Sequence, residues 1–186
     1  MASFLSRREM LKRAAAAGMT SAVPAQALAQ VLPERARDQF ENLSNTESEI
    51  LEAVVSRLIP TDGNGPGALE AGAANYIDKG LANALSESHA AYSVGLAALD
   101  SYADQVTGRG FVSLEPGEQD SLLEDLEQNR AVGFGAESAT FFNLMLRHTI
   151  EATFSDPAYG GNQDFIGWEM IGYPGLRLGV TVEQQQ

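Results

Sequence analysis

Cysteine is absent from the sequence, and only two histidines occur, His89 and His148. No disulfide, zinc finger, covalently attached c-type haem or Cys-ligated iron–sulfur cluster can form within this chain. A multi-histidine metal centre is excluded with them. Basic residues are scarce: 12 Lys and Arg stand against 25 Asp and Glu, a net charge of −13. They are also unevenly placed. Residues 1–29 carry Arg7, Arg8, Lys12 and Arg13 against Glu9, while the remainder carries 8 basic and 24 acidic side chains. A body so acidic repels nucleic acid and anionic membranes, so neither is expected as a partner. It suits a basic protein surface or simple solvation. A length of 186 residues with 44% hydrophobic content predicts one globular domain with a tail.

The basic N-terminus reads as an address. Ser6-Arg7-Arg8-Glu9-Met10-Leu11-Lys12 fits the twin-arginine export pattern, with Met10 in the usual Phe place. A mild apolar stretch, residues 14–23, and Pro24 follow. Cleavage boxes of small residues end at Ala27 or Ala29. Together these make a tripartite signal whose apolar part is too short and alanine-rich to span a membrane. The twin-arginine translocase carries proteins already folded, often because a cofactor is inserted before export. No cofactor motif is visible in this chain, so a folded, cofactor-bearing partner without a signal of its own is one resolution.

The expected organisation is a signal over 1–29, an N-terminal arm over 30–45, a helical domain over 46–178 and a frayed tail over 179–186. Thr46-x-x-Glu49 has the form of a capping box. Ile50, Leu51, Val54, Val55 and Leu58 follow at helical spacing up to Pro60. A second helix is expected over 68–85, with Leu69, Ala73, Tyr76, Ile77 and Leu81 on one face. A third is expected over 89–106, with Tyr92, Leu96, Leu99, Ala103 and Val106. A fourth starts near Pro116 and carries Leu122, Leu123 and Leu126; a fifth spans 136–151. No segment alternates with period two for long. The fold class is therefore all-α, a compact bundle of about five helices, followed from Phe154 by a long region rich in Gly, Pro and aromatics.

Three constellations invite chemistry. Gly63-Asn64-Gly65-Pro66-Gly67-Ala68 satisfies G-x-G-x-x-A, but its preceding segment is helical by period and no βαβ alternation follows. A tight interhelical turn is the better reading. His148 and Glu151 lie three apart with Asp156 nearby, yet no second copy of a di-iron motif exists. His148 is expected to face the core or a helix end and to bond a backbone carbonyl; an acid/base pair with Ser155 as nucleophile can be drawn but lacks a nucleophile elbow. No residue is assigned to catalysis, a cofactor or a metal. The densest motif runs from Asp156 through Tyr159, Gly160, Gly161 and Asn162 to Trp168, Tyr173 and Pro174. Rigid rings on a Pro/Gly backbone suit a partner interface, or cover the bundle's own core.

At these residues the chain resembles the gluconate 2-dehydrogenase subunit 3 family. Leu58-Ile-Pro-Thr-Asp-Gly63, the run from His148 to Asn162, and Gly167-Trp168 with Gly172-Tyr-Pro-Gly175 carry the resemblance, together with the leader. Ala152 stands where the family run suggests glycine. The resemblance implies a small gamma subunit that is not the catalytic chain. It would supply the export signal and assist maturation of a large flavoprotein of the glucose-methanol-choline oxidoreductase class. It further implies FAD in that large subunit, haem c in a multihaem cytochrome subunit, and a periplasmic complex, associated with the inner membrane, that oxidises a sugar, sugar acid or polyol. The competing expectations are a small free-standing enzyme using His148 and Glu151, and a periplasmic binding protein with no partner.

Overall fold

The computed structural model describes residues 40–63, 65–135 and 137–173. Ser6, Arg7, Arg8, Leu11, Lys12, Ala27, Ala29 and Pro174 lie outside the described residues, as do most of the expected arm and the tail.

Helix α1, Asn45–Leu58, begins at Ser44, whose side chain accepts from the Glu47 backbone N–H while the Glu47 carboxylate accepts from the Ser44 N–H at 2.8 Å. The capping box is thus Ser44/Glu47, not Thr46/Glu49; the two patterns overlap, and the earlier one wins. Burial pushes the Glu47 carboxyl up, but the hydrogen bonds from Ser44 and Ser93 and the nearby His89 together hold it below the ordinary value. Helix α2, Ala73–Leu81, is shorter than the spacing suggested. Residues 68–72 form turns, and Gly72 sits at φ 75°, a left-handed angle that ends upstream helical continuity. Leu69 is exposed as a result.

Helix α3, His89–Thr107, stops at Gly108 in the left-handed region. Tyr92, Leu96, Leu99 and Ala103 are buried, but Val106, on the last turn, is 56% exposed. Helix α4, Pro116–Glu127, has proline in its first turn and a Glu115/Glu118 box. Helix α5, Ser138–Phe154, runs one turn nearly past the expected end at Glu151. Helix α6, Ile166–Met170, lies in the segment expected as loop. It is too short to show a period. Among the described residues there is no strand, only an isolated bridge between Asp62 and Gly65, so the glycine-rich stretch after α1 is a turn and not a dinucleotide loop.

The core joins Ile50, Leu51, Val54 and Val55 of α1 to Ile77 and Leu81 of α2, Tyr92, Leu96 and Leu99 of α3, Leu122 and Leu126 of α4, and Phe141, Phe142 and Met145 of α5. Helix α5 is central: it touches α1, α2, α3, α4 and α6. Within the span expected as an arm, residues 41–43 are tied down. The buried Asp78 carboxylate accepts from the backbone N–H groups of Glu41, Asn42 and Leu43 at 2.8–3.0 Å. Among the described residues no helix is long and apolar enough to cross a membrane.

Candidate functional site

The segment after α5 is organised by one side chain. Asn162 is fully buried. Its backbone N–H donates to the Ala152 carbonyl at 2.9 Å and its Nδ2 to the Ser155 carbonyl at 2.8 Å. Its Oδ1 accepts from the Gly167 N–H at 2.8 Å, at the start of α6. The loop can come this close because Gly161 and Gly167 carry no Cβ; one built there would collide with the carbonyl oxygens of Ala152 and Thr153. Ala152 itself is buried against the bundle. Asp156 caps the short turn Pro157–Tyr159 by accepting from the Ala158 N–H. The loop also reaches the turn before α2, since the Gln163 N–H donates to the Ala71 carbonyl at 3.0 Å.

The surface held by this knot is aromatic and apolar. Trp168 is half-buried and donates Nε1–H to the Phe154 carbonyl at 2.9 Å. Its ring lies edge-on to Tyr173 at 4.9 Å and tilted to Phe165 at 5.6 Å. Tyr159 is 71% exposed and Phe165 53%, with Met170, Ile171 and Tyr173 also open. Asn162, Asp164 and Phe165 all adopt positive φ. A bulky aromatic there is a genuine outlier, sustained because the surrounding bonds over-determine it. The strain aims Phe165 outward. Of the expected interface residues, Trp168 and Tyr173 join this ring cluster, while Tyr159 is exposed on the α2 side, near Tyr76. Asn162 and Gly161 are buried and position the cluster. Phe165, Met170 and Ile171 were not anticipated, although apolar residues in a Gly-rich segment were a visible signal.

His148 and Glu151 are not brought together. His148 is buried, stacked on the Tyr92 ring, with Nδ1 3.1 Å from the Tyr92 hydroxyl. It faces the core as expected, but its partners are side chains and not a backbone carbonyl. Arg147, always a donor, gives Nη2–H to His148 Nε2 at 3.2 Å. The proton of the neutral ring therefore sits on Nδ1 and is donated to Tyr92. Burial, then the Arg147 charge, lowers the His148 pKa against a weaker opposing pull from Glu151. Burial likewise pushes the Tyr92 hydroxyl up. Glu151 instead accepts from the Tyr76 hydroxyl at 2.6 Å, and burial followed by this bond pushes Tyr76 up to about 12. Ser155 Oγ has no hydrogen-bond partner among the described residues. The histidine is a packed core group whose Nδ1–H and Nε2 lone pair both have partners. Among the described residues no cluster of His, Asp and Glu could hold a metal ion.

The family model described as gluconate 2-dehydrogenase subunit 3 matches residues 45–175, more than two thirds of the chain. The chain belongs to the gluconate 2-dehydrogenase subunit 3 family. No curated protein and no solved structure matches it. The matched span begins at the first residue of α1 and takes in the six described helices and the Asn162 knot. Membership makes this subunit 3 chain a component of a multi-subunit dehydrogenase.

Proposed function

We propose that this subunit 3 chain is a non-catalytic small subunit that escorts a large FAD-dependent dehydrogenase subunit through the twin-arginine pathway. It binds the folded flavoprotein before export and assists its maturation. Arg7 and Arg8 engage the translocase, and the pair crosses into the periplasm together. There the small subunit remains as a scaffold, and the complex sits at the inner membrane with a multihaem cytochrome c subunit that takes the electrons. FAD belongs to the large subunit, of the glucose-methanol-choline oxidoreductase class, and haem c to the cytochrome. The oxidised substrate is a sugar, sugar acid or polyol.

The observation that carries this reading is an N-terminal pattern that fits a twin-arginine leader, on a member of a dehydrogenase-subunit family. The exposed rings of Phe165 and Tyr173, packed against the half-buried Trp168, support it, since they offer a rigid apolar face with little entropy left to lose. The test replaces Arg7 and Arg8 together by lysine and measures flavin-dependent dehydrogenase activity in separated periplasm and cytoplasm. The flavoprotein should accumulate in the cytoplasm, still bound to the small subunit. Normal periplasmic activity, with no second signal on the flavoprotein, would overturn the escort role.

A further inference from the structure

The buried histidine accepts a hydrogen bond from a cation. His148 gives Nδ1–H to the Tyr92 hydroxyl of α3, and its Nε2 lone pair receives Nη2–H of Arg147. Only the neutral ring can do this, because an imidazolium has two N–H donors and no lone pair. A proton and Arg147 therefore compete for one atom, and one excludes the other.

Glu151 stands three residues past His148 and four past Arg147 on α5. Side chains at those spacings are neighbours on a helix surface. The Glu151 carboxylate is nevertheless turned to α2, where it accepts from the Tyr76 hydroxyl at 2.6 Å. Arg147 forms no ion pair among the described residues. Burial and then the Arg147 charge disfavour a proton on the ring, and Glu151 favours one. The other elements packed on α5 bring no competing group. Tyr92 keeps its hydroxyl proton, since burial pushes its pKa up. The second buried phenol of α3, Tyr102, donates to Asp125. Asp78, the acid that α2 buries, is committed to residues 41–43. Helices α1, α4 and α6 bury no titratable side chain.

We propose that His148, Arg147 and Glu151 form a proton-operated latch between α5 and α2. With His148 neutral, Arg147 rests on Nε2 and Glu151 ties α5 to α2 through Tyr76. When a proton takes the Nε2 lone pair, Arg147 swings into the groove between α3 and α5, which Glu87 also lines. The new Nε2–H is buried and needs an acceptor. Glu151 leaves Tyr76 and supplies it, because a bond between imidazolium and carboxylate is stronger than one from a neutral phenol. Tyr76 is half-buried, so water can replace the carboxylate at its hydroxyl. The moving residue adjoins Ala152, whose carbonyl accepts from the Asn162 N–H. The latch therefore bears on the turn of α5 that holds the Asn162 knot. It concerns this chain alone and does not depend on the escort reading.

The experiment follows the full, isotopically labelled chain by NMR from neutral to acid pH. It records the imidazoles, the Tyr76 ring carbons and the Arg147 side-chain N–H groups, while far-UV circular dichroism monitors the helices. The Tyr76 and Arg147 signals should shift with the midpoint of the His148 ring, with the helices intact. In His148→Gln, whose amide oxygen can accept from Arg147 but takes no proton, both steps should disappear. Arg147→Met should raise the His148 midpoint by about one pH unit, and Glu151→Gln should lower it, as for loss of one nearby charge. Arg147 and Glu151 are exposed, so these two variants test the latch even if His148→Gln fails to fold. A Tyr76 step that survives in His148→Gln belongs to Glu151 itself and would overturn the proposal. So would Arg147 signals that stay fixed while the ring titrates, a His148 midpoint indifferent to Arg147→Met, or helix loss that coincides with that midpoint.

Discussion

Asn162 offers the sharpest check on how the aromatic surface is held. Replacing it by alanine removes the Nδ2 donor from the Ser155 carbonyl and the Oδ1 acceptor from the Gly167 N–H. Nothing of similar shape takes their place, so both backbone groups lose their partners. Orphaned polar groups of this kind cost about 1–3 kcal/mol each, and about 3 kcal/mol is a fair sum where water reaches one of them. Asn162 also sits at φ 45°, where alanine adds about 1 kcal/mol. The expected loss for Asn162→Ala is therefore about 4 kcal/mol, and Asn162→Gly should recover the last ~1 kcal/mol. Trp168 is the only tryptophan in the chain and packs in the same segment, so its fluorescence in a urea titration reports the knot directly. Far-UV circular dichroism reports the helices. The fluorescence midpoint should fall in both variants, more for alanine, and should separate from the dichroism midpoint if the segment opens alone. A change under ~1 kcal/mol for alanine, or a glycine variant less stable than alanine, would refute the claim that this side chain and its left-handed backbone hold the loop.

Three further outcomes follow from the geometry. Asp78→Ala strips the acceptor from three successive N–H groups at residues 41–43 and should cost about 3 kcal/mol in denaturant unfolding; a loss near zero would mean water replaces the carboxylate fully. Gly167→Ala forces a Cβ onto the Thr153 carbonyl oxygen and should lower stability by about 2 kcal/mol, with a changed Trp168 emission. Because the His148 pKa is depressed below 6.5 in the fold, the unfolded chain takes up that proton first as pH falls. Stability contributed by the neutral ring is complete above 6.5 and declines below it. Thermal midpoints that stay flat across this value in the wild type, or that decline equally in His148→Gln, would contradict the buried neutral tautomer.

The long helices were legible because their apolar residues recur at a period that survives without tertiary context. The first turn of α1 was not, since Ser44-x-x-Glu47 and Thr46-x-x-Glu49 are equally good boxes on paper. Only the backbone geometry at Ser44 separates them. Helix α2 was overextended because Leu69 falls on the right spoke of a helical wheel, while the left-handed angle at Gly72 is invisible to periodicity. Val106 matched its stripe but lies on the last turn of α3, beyond the reach of the neighbouring helices. The recognisable run from His148 to Asn162 pointed to the right region, although its most telling member, Asn162, is a bracket under the surface and not part of it. Tyr92 and His148 are 56 residues apart, and no local pattern could pair them. Neither could sequence show that Asp78 would gather three N–H groups, because a carboxylate in a helix ordinarily reads as solvated.

The central place of α5 has a consequence in time. It contacts every other helix of the body yet is made nearly last. Some 73 residues separate the end of α2 from the end of α5, which is roughly 4–15 s of synthesis at common ribosomal speeds. During that interval the apolar faces of α1, α2 and α3 have been made but lack the helix that covers them. The described body cannot close before α5 has been made. A nascent chain of this design spends its vulnerable seconds with those faces bare, and whatever shields them in the meantime decides how much of it reaches the folded state.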